Sequence, residues 1–235
     1  MALGNQEGDE DGKPLYQRLS IELQGIEKES APDGETGAGL GLQTTRGPIH
    51  TLLHGAEGDG ETAVLFAPGA RGGFGGPAER LYADLAEALA AQGVTCMRID
   101  YRHAANLDES TLDVLAAVWH LASIGRPRTA VVGHSFGGGV VIQASRYSTN
   151  IRAVAALSSQ TLGARDVVLL APRPLLVVHG EADDVLPVAN GRQVYDWAFD
   201  PKQLVTYPGA KHGLREARPE LRALLMEWLP KAAAS

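Results

Sequence analysis

The amino-acid sequence predicts an α/β domain, a three-layer α/β/α sandwich around a mostly parallel sheet. Three observations carry that class. Short, wholly apolar runs such as residues 62–66 (TAVLF) and 174–179 (PLLVVH) read as strands buried on both faces. Stretches of about three turns or more, with apolar residues at helical spacing, alternate with them. The chain has 235 residues, 44% hydrophobic and 21% charged, which is one domain's length with enough apolar material for a substantial core.

The elements follow in order. Residues 15–26 (LYQRLSIELQGI) alternate like a strand, with Leu19, Ile21 and Leu23 on one face. Residues 29–41 read as a Gly-rich connection, and residues 47–54 as a second strand that completes an antiparallel start. The strand at 62–66 runs into a glycine-rich loop, 68–77. A helix over 78–92 places Leu81, Leu85, Ala88 and Leu89 on one face and stops at Gly93. Residues 94–99 form a strand whose Cys96 belongs to the core. The helix over 107–124 aligns Leu112, Leu115, Val118, Trp119 and Ala122. Strands at 129–132, 151–157, 174–179 and 203–207 alternate with helices at 136–146, 188–199 and 219–229. Residues 158–173, between two strands, are too few for a cap domain.

Charge and composition exclude several function classes. The net charge is -7, but residues 1–35 hold nine acidic against three basic side chains, so the rest of the chain is nearly neutral. Residues 1–12 are expected to be a disordered acidic segment and residues 13–235 a single domain. No basic stripe appears, which argues against a nucleic-acid partner. No apolar stretch approaches the roughly 18 to 20 residues that cross a bilayer, so no membrane partner is expected. The one cysteine cannot form an internal disulfide, and no apolar leader is visible, so a soluble, cytoplasmic protein is the expectation. Cys and His show no metal-ligand spacing, and no metal or cofactor is expected.

In such sheets ligands bind beyond the carboxyl ends of the strands. The strand at 129–132 ends in Gly133-His134-Ser135-Phe136-Gly137, a G-x-S-x-G pattern between a strand and a helix. By chance a chain of this composition yields about 0.14 such matches, so the placement carries the signal. A strand that turns directly into a helix strains its central residue, and glycines at the flanks let neighbouring elements approach. The serine hydroxyl is then raised at a helix N-terminus, where free N–H groups favour a developing oxyanion. Two strands later, residues 179–187 (HGEADDVLP) present two carboxylates at the same edge, and we take Asp183 ahead of its neighbour Asp184. The last strand is followed by residues 209–213 (GAKHG), which put His212 in reach of both. The other six histidines stand before the acid, His134 inside the motif and His179 at the end of its own strand.

These three segments, in the chain order nucleophile, acid, histidine, resemble the α/β-hydrolase superfamily over roughly residues 47–230. The lack of a long insertion is similar to its small, lidless, dienelactone-hydrolase-like branch. That branch uses a cysteine nucleophile in the dienelactone hydrolases themselves, whereas this chain has Ser135. The resemblance therefore implies an α/β-hydrolase fold and a serine hydrolase with Ser135, Asp183 and His212 as its triad. It also implies an oxyanion hole from the N–H of Phe136 and a second donor in residues 68–71, with Ala70 first and Arg71 next. Pro68 stands where relatives usually carry histidine. The expected substrate is a small-molecule ester or thioester, with Arg71, Arg102 or His103 meeting an anionic group and Phe74 lining an acyl pocket. Two other readings stay open: a non-catalytic binding or scaffold protein on this fold, and an acyltransferase, peptidase or lyase using the same triad. Oligomeric state stays open as well.

Overall fold

The computed structural model describes residues 20–55 and 60–235. The expectations for residues 1–12 and for the start of the first strand lie outside the described residues. Among the described residues nine strands form one sheet: β1 (Leu23–Glu29), β2 (Ala38–Thr44), β3 (Ile49–His54), β4 (Thr62–Ala67), β5 (Thr95–Ile99), β6 (Arg128–His134), β7 (Ile151–Leu157), β8 (Leu175–Gly180) and β9 (Lys202–Tyr207). Their order is β1-β2-β3-β5-β4-β6-β7-β8-β9, parallel from β5 to β9 and antiparallel from β1 through β3 to β5. Strand β4 has β5 on one side and β6 on the other, so successive crossovers leave it in opposite directions. That reversal opens a crevice beyond the carboxyl ends of β4 and β6.

Strict alternation divides the core. In β4, Ala63, Leu65 and Ala67 face one layer while Val64 and Phe66 face the other. The first layer is covered by α2 (Leu107–Ser123), α3 (Phe136–Ser145) and α4 (Val188–Trp197), the second by α1 (Pro77–Ala90) and α5 (Arg218–Ala234). Between β7 and β8 lies only a short 3-10 helix, Ala164–Leu169, and no cap domain. Among the described residues no helix is long and apolar enough to cross a membrane. Cys96 is fully buried in β5, and burial pushes its thiol well above the ordinary range.

Four elements differ from the sequence reading, three of them for a tertiary reason. The first strand begins at Leu23 and runs to Glu29, past the expected end at 26. The expected Gly-rich connection contains β2, so three antiparallel strands open the sheet where two were expected. Gly39 is required there, because a Cβ on it would lie 2.5 Å from the Glu29 carbonyl oxygen on β1. Helix α1 is regular only from Leu81 onward; Ala78, Glu79 and Arg80 are left-handed, with φ of 47°, 57° and 67°. That costly turn is held from outside by Ala78 N–H to the Gly213 carbonyl (2.8 Å), Arg218 to the Ala78 carbonyl (3.1 Å) and Arg80 to the Gly34 carbonyl (2.9 Å). Helix α5 continues through Pro230 to bury Ala232 and Ala233 under the sheet.

One charged cluster sits inside the second layer. The Arg98 side chain is 0% exposed and is paired with Glu35 at 2.6 Å. It also donates to the carbonyls of Thr36 (2.6 Å) and Phe74 (3.3 Å) and to His54 Nε2 (3.3 Å). Five donors in a fixed fork suit this task, because an unpaired buried cation is severely destabilising. Burial, reinforced by the adjacent Arg98 charge, holds the His54 pKa down to about 4. The folded chain thus refuses a proton that the unfolded chain accepts below the usual imidazole value of 6.5, and stability falls as pH drops from about 6.5 toward 4. Replacing His54 by Gln keeps an acceptor for Arg98 and removes this proton. Urea unfolding at a series of pH values is expected to show a shallower loss of stability over that interval than in the wild type.

Candidate active site

The crevice at the strand reversal is where the sequence motif lies. Ser135 joins β6 directly to α3, with φ 59° and ψ −116°. Such a backbone is sustained only if its neighbours over-determine it. The Ser135 N–H donates to the Leu157 carbonyl (2.8 Å), and its carbonyl accepts from Gly138 (3.1 Å) and Gln160 (3.2 Å). The motif glycines have a steric cause. A Cβ on Gly133 would collide with the Gly137 carbonyl oxygen, and a Cβ on Gly137 with the Pro68 carbonyl oxygen of the loop after β4.

Asp183 and His212 come from the loops after β8 and β9. A Cβ on Gly180 would strike the Ala210 carbonyl oxygen, so the two loops meet backbone to backbone, tied by Ala182 N–H to the Ala210 carbonyl at 3.0 Å. His212 Nδ1 lies 2.9 Å from Asp183 Oδ2, and its Nε2 lies 3.0 Å from Ser135 Oγ. The Asp183 side chain is 0% exposed; that of Asp184 is 61% exposed and faces Lys211 at 3.7 Å. Asp183 Oδ1 accepts the N–H groups of Val185 (2.9 Å) and Leu186 (2.8 Å). Burial acts to raise its pKa, but the His212 hydrogen bond and these two N–H groups outweigh it, so the carboxyl stays below its ordinary value and ionised.

A cleft of about 380 Å³ opens over Ser135 and His212, lined also by Gly69, Ala70, Arg71 and Val185. Phe136 begins α3, so its N–H is among those that a helix start leaves without an intrahelical acceptor. Its ring turns away from the cleft into the core, edge-on to Tyr101 at 5.9 Å. Arg71 is exposed at the cleft. Arg102 is not brought there. Its guanidinium is 4% exposed and bound to Asp113 (2.5 Å) and Glu109 (2.9 Å), because the chain turns it back under α2. Phe74 lies on a separate depression beside β2 and β3, and His103 is an exposed turn residue whose carbonyl receives Asn106 and Ser110.

Two histidines that sequence order set aside belong to the site. Burial pushes the His134 pKa down to about 4 despite its hydrogen bond, so the neutral ring donates from Nε2 to the His212 carbonyl at 2.9 Å. The rings of His134 and His212 lie 4.9 Å apart. His179, fully buried, brings Nε2 to 3.2 Å from Asp183 Oδ2. No spacing rule finds either contact; only the i,i+4 separation of His179 and Asp183 hints at one. Among the described residues, no group of three or more His, Cys, Asp or Glu is arranged to hold a metal ion.

Comparisons with known proteins agree with this architecture. The sequence model of the alpha/beta hydrolase family matches residues 64–231. The uncharacterized protein YfhR of Escherichia coli K12 is 24% identical over 131 residues, and that of Escherichia coli O157:H7 is 28% identical over 133. Each match covers 46% of this chain and 46% of the relative, so the chain spans under half the length of these curated relatives. Among solved structures, the dienelactone hydrolase of Anabaena variabilis superposes with a TM-score of 0.70 at 18% identity, over 88% of this chain and 98% of that one. Est1E from Butyrivibrio proteoclasticus gives 0.66 at 18% identity, over 90% and 100%. XC6422 from Xanthomonas campestris, an α/β serine hydrolase without a lid, gives 0.62 at 18%, over 86% and 99%. At these identities the likeness is one of fold.

The turn at Ser135 rests on the absence of side chains at 133 and 137. Gly137→Ala drives a methyl group into the Pro68 carbonyl, and the expected cost is about 1 to 3 kcal/mol. Equilibrium urea unfolding of that variant against the wild type measures it.

Proposed function

This chain belongs to the alpha/beta hydrolase family, and we propose that it hydrolyses carboxylic esters or thioesters through an acyl-enzyme. The observation that carries this reading is the unbroken relay of Ser135 Oγ, His212 Nε2, His212 Nδ1 and Asp183 Oδ2, with links of 3.0 and 2.9 Å. A surface serine at a helix start has no need of a histidine held by a buried carboxylate.

In this mechanism Ser135 Oγ attacks the substrate carbonyl carbon and gives its proton to His212 Nε2. Asp183 accepts the Nδ1–H throughout, fixing the tautomer and stabilising the imidazolium that forms. The tetrahedral oxyanion takes hydrogen bonds from the N–H groups of Phe136 and Ala70. When the carbon–oxygen or carbon–sulfur bond to the leaving group breaks, His212 returns the proton to the departing alkoxide or thiolate. Water, deprotonated by the same nitrogen, then attacks the acyl-enzyme and releases the acid and Ser135. Each oxyanion donor contributes roughly 3 to 4 kcal/mol to the barrier reduction, and a triad residue more.

The substrate is small or flexible on this reading, since none of the described residues forms a lid over the cleft, which offers only about 380 Å³ beside Ser135. Among the described residues lining the cleft, Arg71 carries the one fixed charge. A carboxylate at the far end of the acyl group is its natural complement. Arg102 and Phe74 have no part in this reading, being held elsewhere.

A fluorophosphonate probe followed by peptide mass spectrometry tests the nucleophile without knowledge of the natural substrate. One adduct on Ser135 is expected, absent in Ser135→Ala and lost in His212→Ala, with both variants folded. A wild-type protein that stays unlabelled where a control esterase reacts would overturn the reading. For Arg71, kcat/KM is compared between a neutral p-nitrophenyl ester and one whose acyl chain ends in a carboxylate. Arg71→Gln is expected to lose about three- to fivefold of the preference for the anionic ester, the size suited to an exposed ion pair. An unchanged ratio removes Arg71 from substrate recognition.

A further inference from the structure

The loop after β4 brings Ala70 and Arg71 to the cleft, and its anchors lie on either side of them. Residues 69–72 form a tight turn, closed by the Gly72 N–H to the Gly69 carbonyl at 3.0 Å. A turn of this kind uses its first carbonyl and its fourth N–H, so the N–H groups of its corner residues, Ala70 and Arg71, are left over for a ligand. On one side the turn is fixed where Pro68 meets Gly137. On the other it meets Asp100, the residue after β5. Asp100 Oδ1 accepts the Gly73 N–H at 2.6 Å. Gly72, at φ 70°, lies so close to the same oxygen that a Cβ there would come within 2.5 Å of it.

We propose that Asp100 is a positioning residue for the oxyanion hole, resting on the reading in which the Ala70 N–H is its second donor. The carboxylate clamps Gly72 and Gly73 and so sets where that N–H meets the tetrahedral oxygen. Two successive glycines, both at positive φ, make the softest stretch of backbone a loop can have. A donor carried on such a stretch stabilises a transition state only if something outside it holds it in place beforehand. A carboxylate oxygen suits that task, since its hydrogen bond to an amide is shorter and stronger than one from a neutral acceptor.

Asp100 lies outside the cleft, on the depression that also holds Phe74, so it acts through Gly73 and not on the substrate. Its own backbone is fixed, the N–H donating to the His50 carbonyl of β3 at 2.9 Å. Beyond Gly73 the loop has other ties: Arg98 donates to the Phe74 carbonyl (3.3 Å), and the Tyr82 N–H to the Gly75 carbonyl (3.1 Å). Removing the Asp100 side chain therefore frees the turn at 69–73 and leaves the rest of the loop held.

The test uses p-nitrophenyl acetate, with active sites counted by fluorophosphonate labelling so that misfolded molecules drop out. Asp100→Ala is expected to lower kcat per active site about tenfold with KM unchanged, because only the placement of a transition-state donor has loosened. Phenylboronic acid, which forms a tetrahedral adduct on Ser135, is expected to bind weaker by the same factor. Asp100→Asn keeps an oxygen acceptor for Gly73 and is expected to recover most of both losses. An Ala variant with wild-type kcat overturns the proposal, as does one whose kcat falls while boronate affinity stays. A folded Asn variant that falls as far as Ala overturns it too. In the wild-type protein, amide hydrogen exchange followed by NMR is expected to show the Gly73 N–H protected at least tenfold; exchange at the open-chain rate overturns the clamp even where no variant folds. If Ser135 takes the fluorophosphonate and the Asp100 variants match the wild type, the Asp100 assignment alone fails. If Ser135 stays unlabelled, the hydrolase reading fails and this proposal with it.

Discussion

The contact of Gly137 with the Pro68 carbonyl is the constraint on which the site depends. It sets how near the loop after β4 can come to the start of α3. Ser135 can then leave β6 and enter α3 within one residue, at φ 59°, only because no side chain stands at 133 or 137. The nucleophile and the candidate oxyanion donors at Phe136 and Ala70 are placed by that single close approach. They occupy the strand reversal around β4, where the crossovers part and leave a crevice.

Around that turn the polar groups are arranged to keep opposite charges apart from competitors. Asp183 remains ionised inside the protein because its donors outweigh its desolvation. His134 remains neutral because burial is not offset, and so it serves as a donor to the loop that carries His212. Two imidazoles a few ångströms apart thus differ in role through environment alone.

A second structure stands behind the first. The left-handed turn at residues 78–80 and the buried Arg98 join the N-terminal strands to the active-site loops. Arg98 holds the Phe74 carbonyl in the glycine-rich loop, and Asp100 accepts the Gly73 N–H at 2.6 Å. Ala78 donates to Gly213, the residue after His212. The antiparallel extension β1–β3 is therefore tied into the framework of the cleft: Glu35 and Thr36, in the loop between β1 and β2, complete the shell of Arg98.

Most of the sheet was legible in the sequence. Strand β7 occupies the same residues, 151–157, that apolar continuity indicated, and β4 to β9 each fall within two residues at either end. The order and spacing of Ser135, Asp183 and His212 were legible too, since a strand end is a local feature and each of the three follows one. Propensity misled where long-range contact decides. Gly39 and Gly41 look like a connection until β1 lies beside them, and Pro230 looks like a helix end until the sheet buries Ala232. Arg102 and Phe74 stand near strand ends as Arg71 does, but which of them reaches the cleft depends on side-chain partners far away in sequence. The sequence by itself determined the layers and the three residues that meet at the crevice, because periodicity and motif are written locally. The tertiary structure alone turned Asp183 inward while Asp184 stays at the surface, as the sequence had favoured, and brought His134 to the His212 carbonyl and His179 against Asp183. Burial and hydrogen-bond geometry are properties of the packed chain, and no local pattern encodes them.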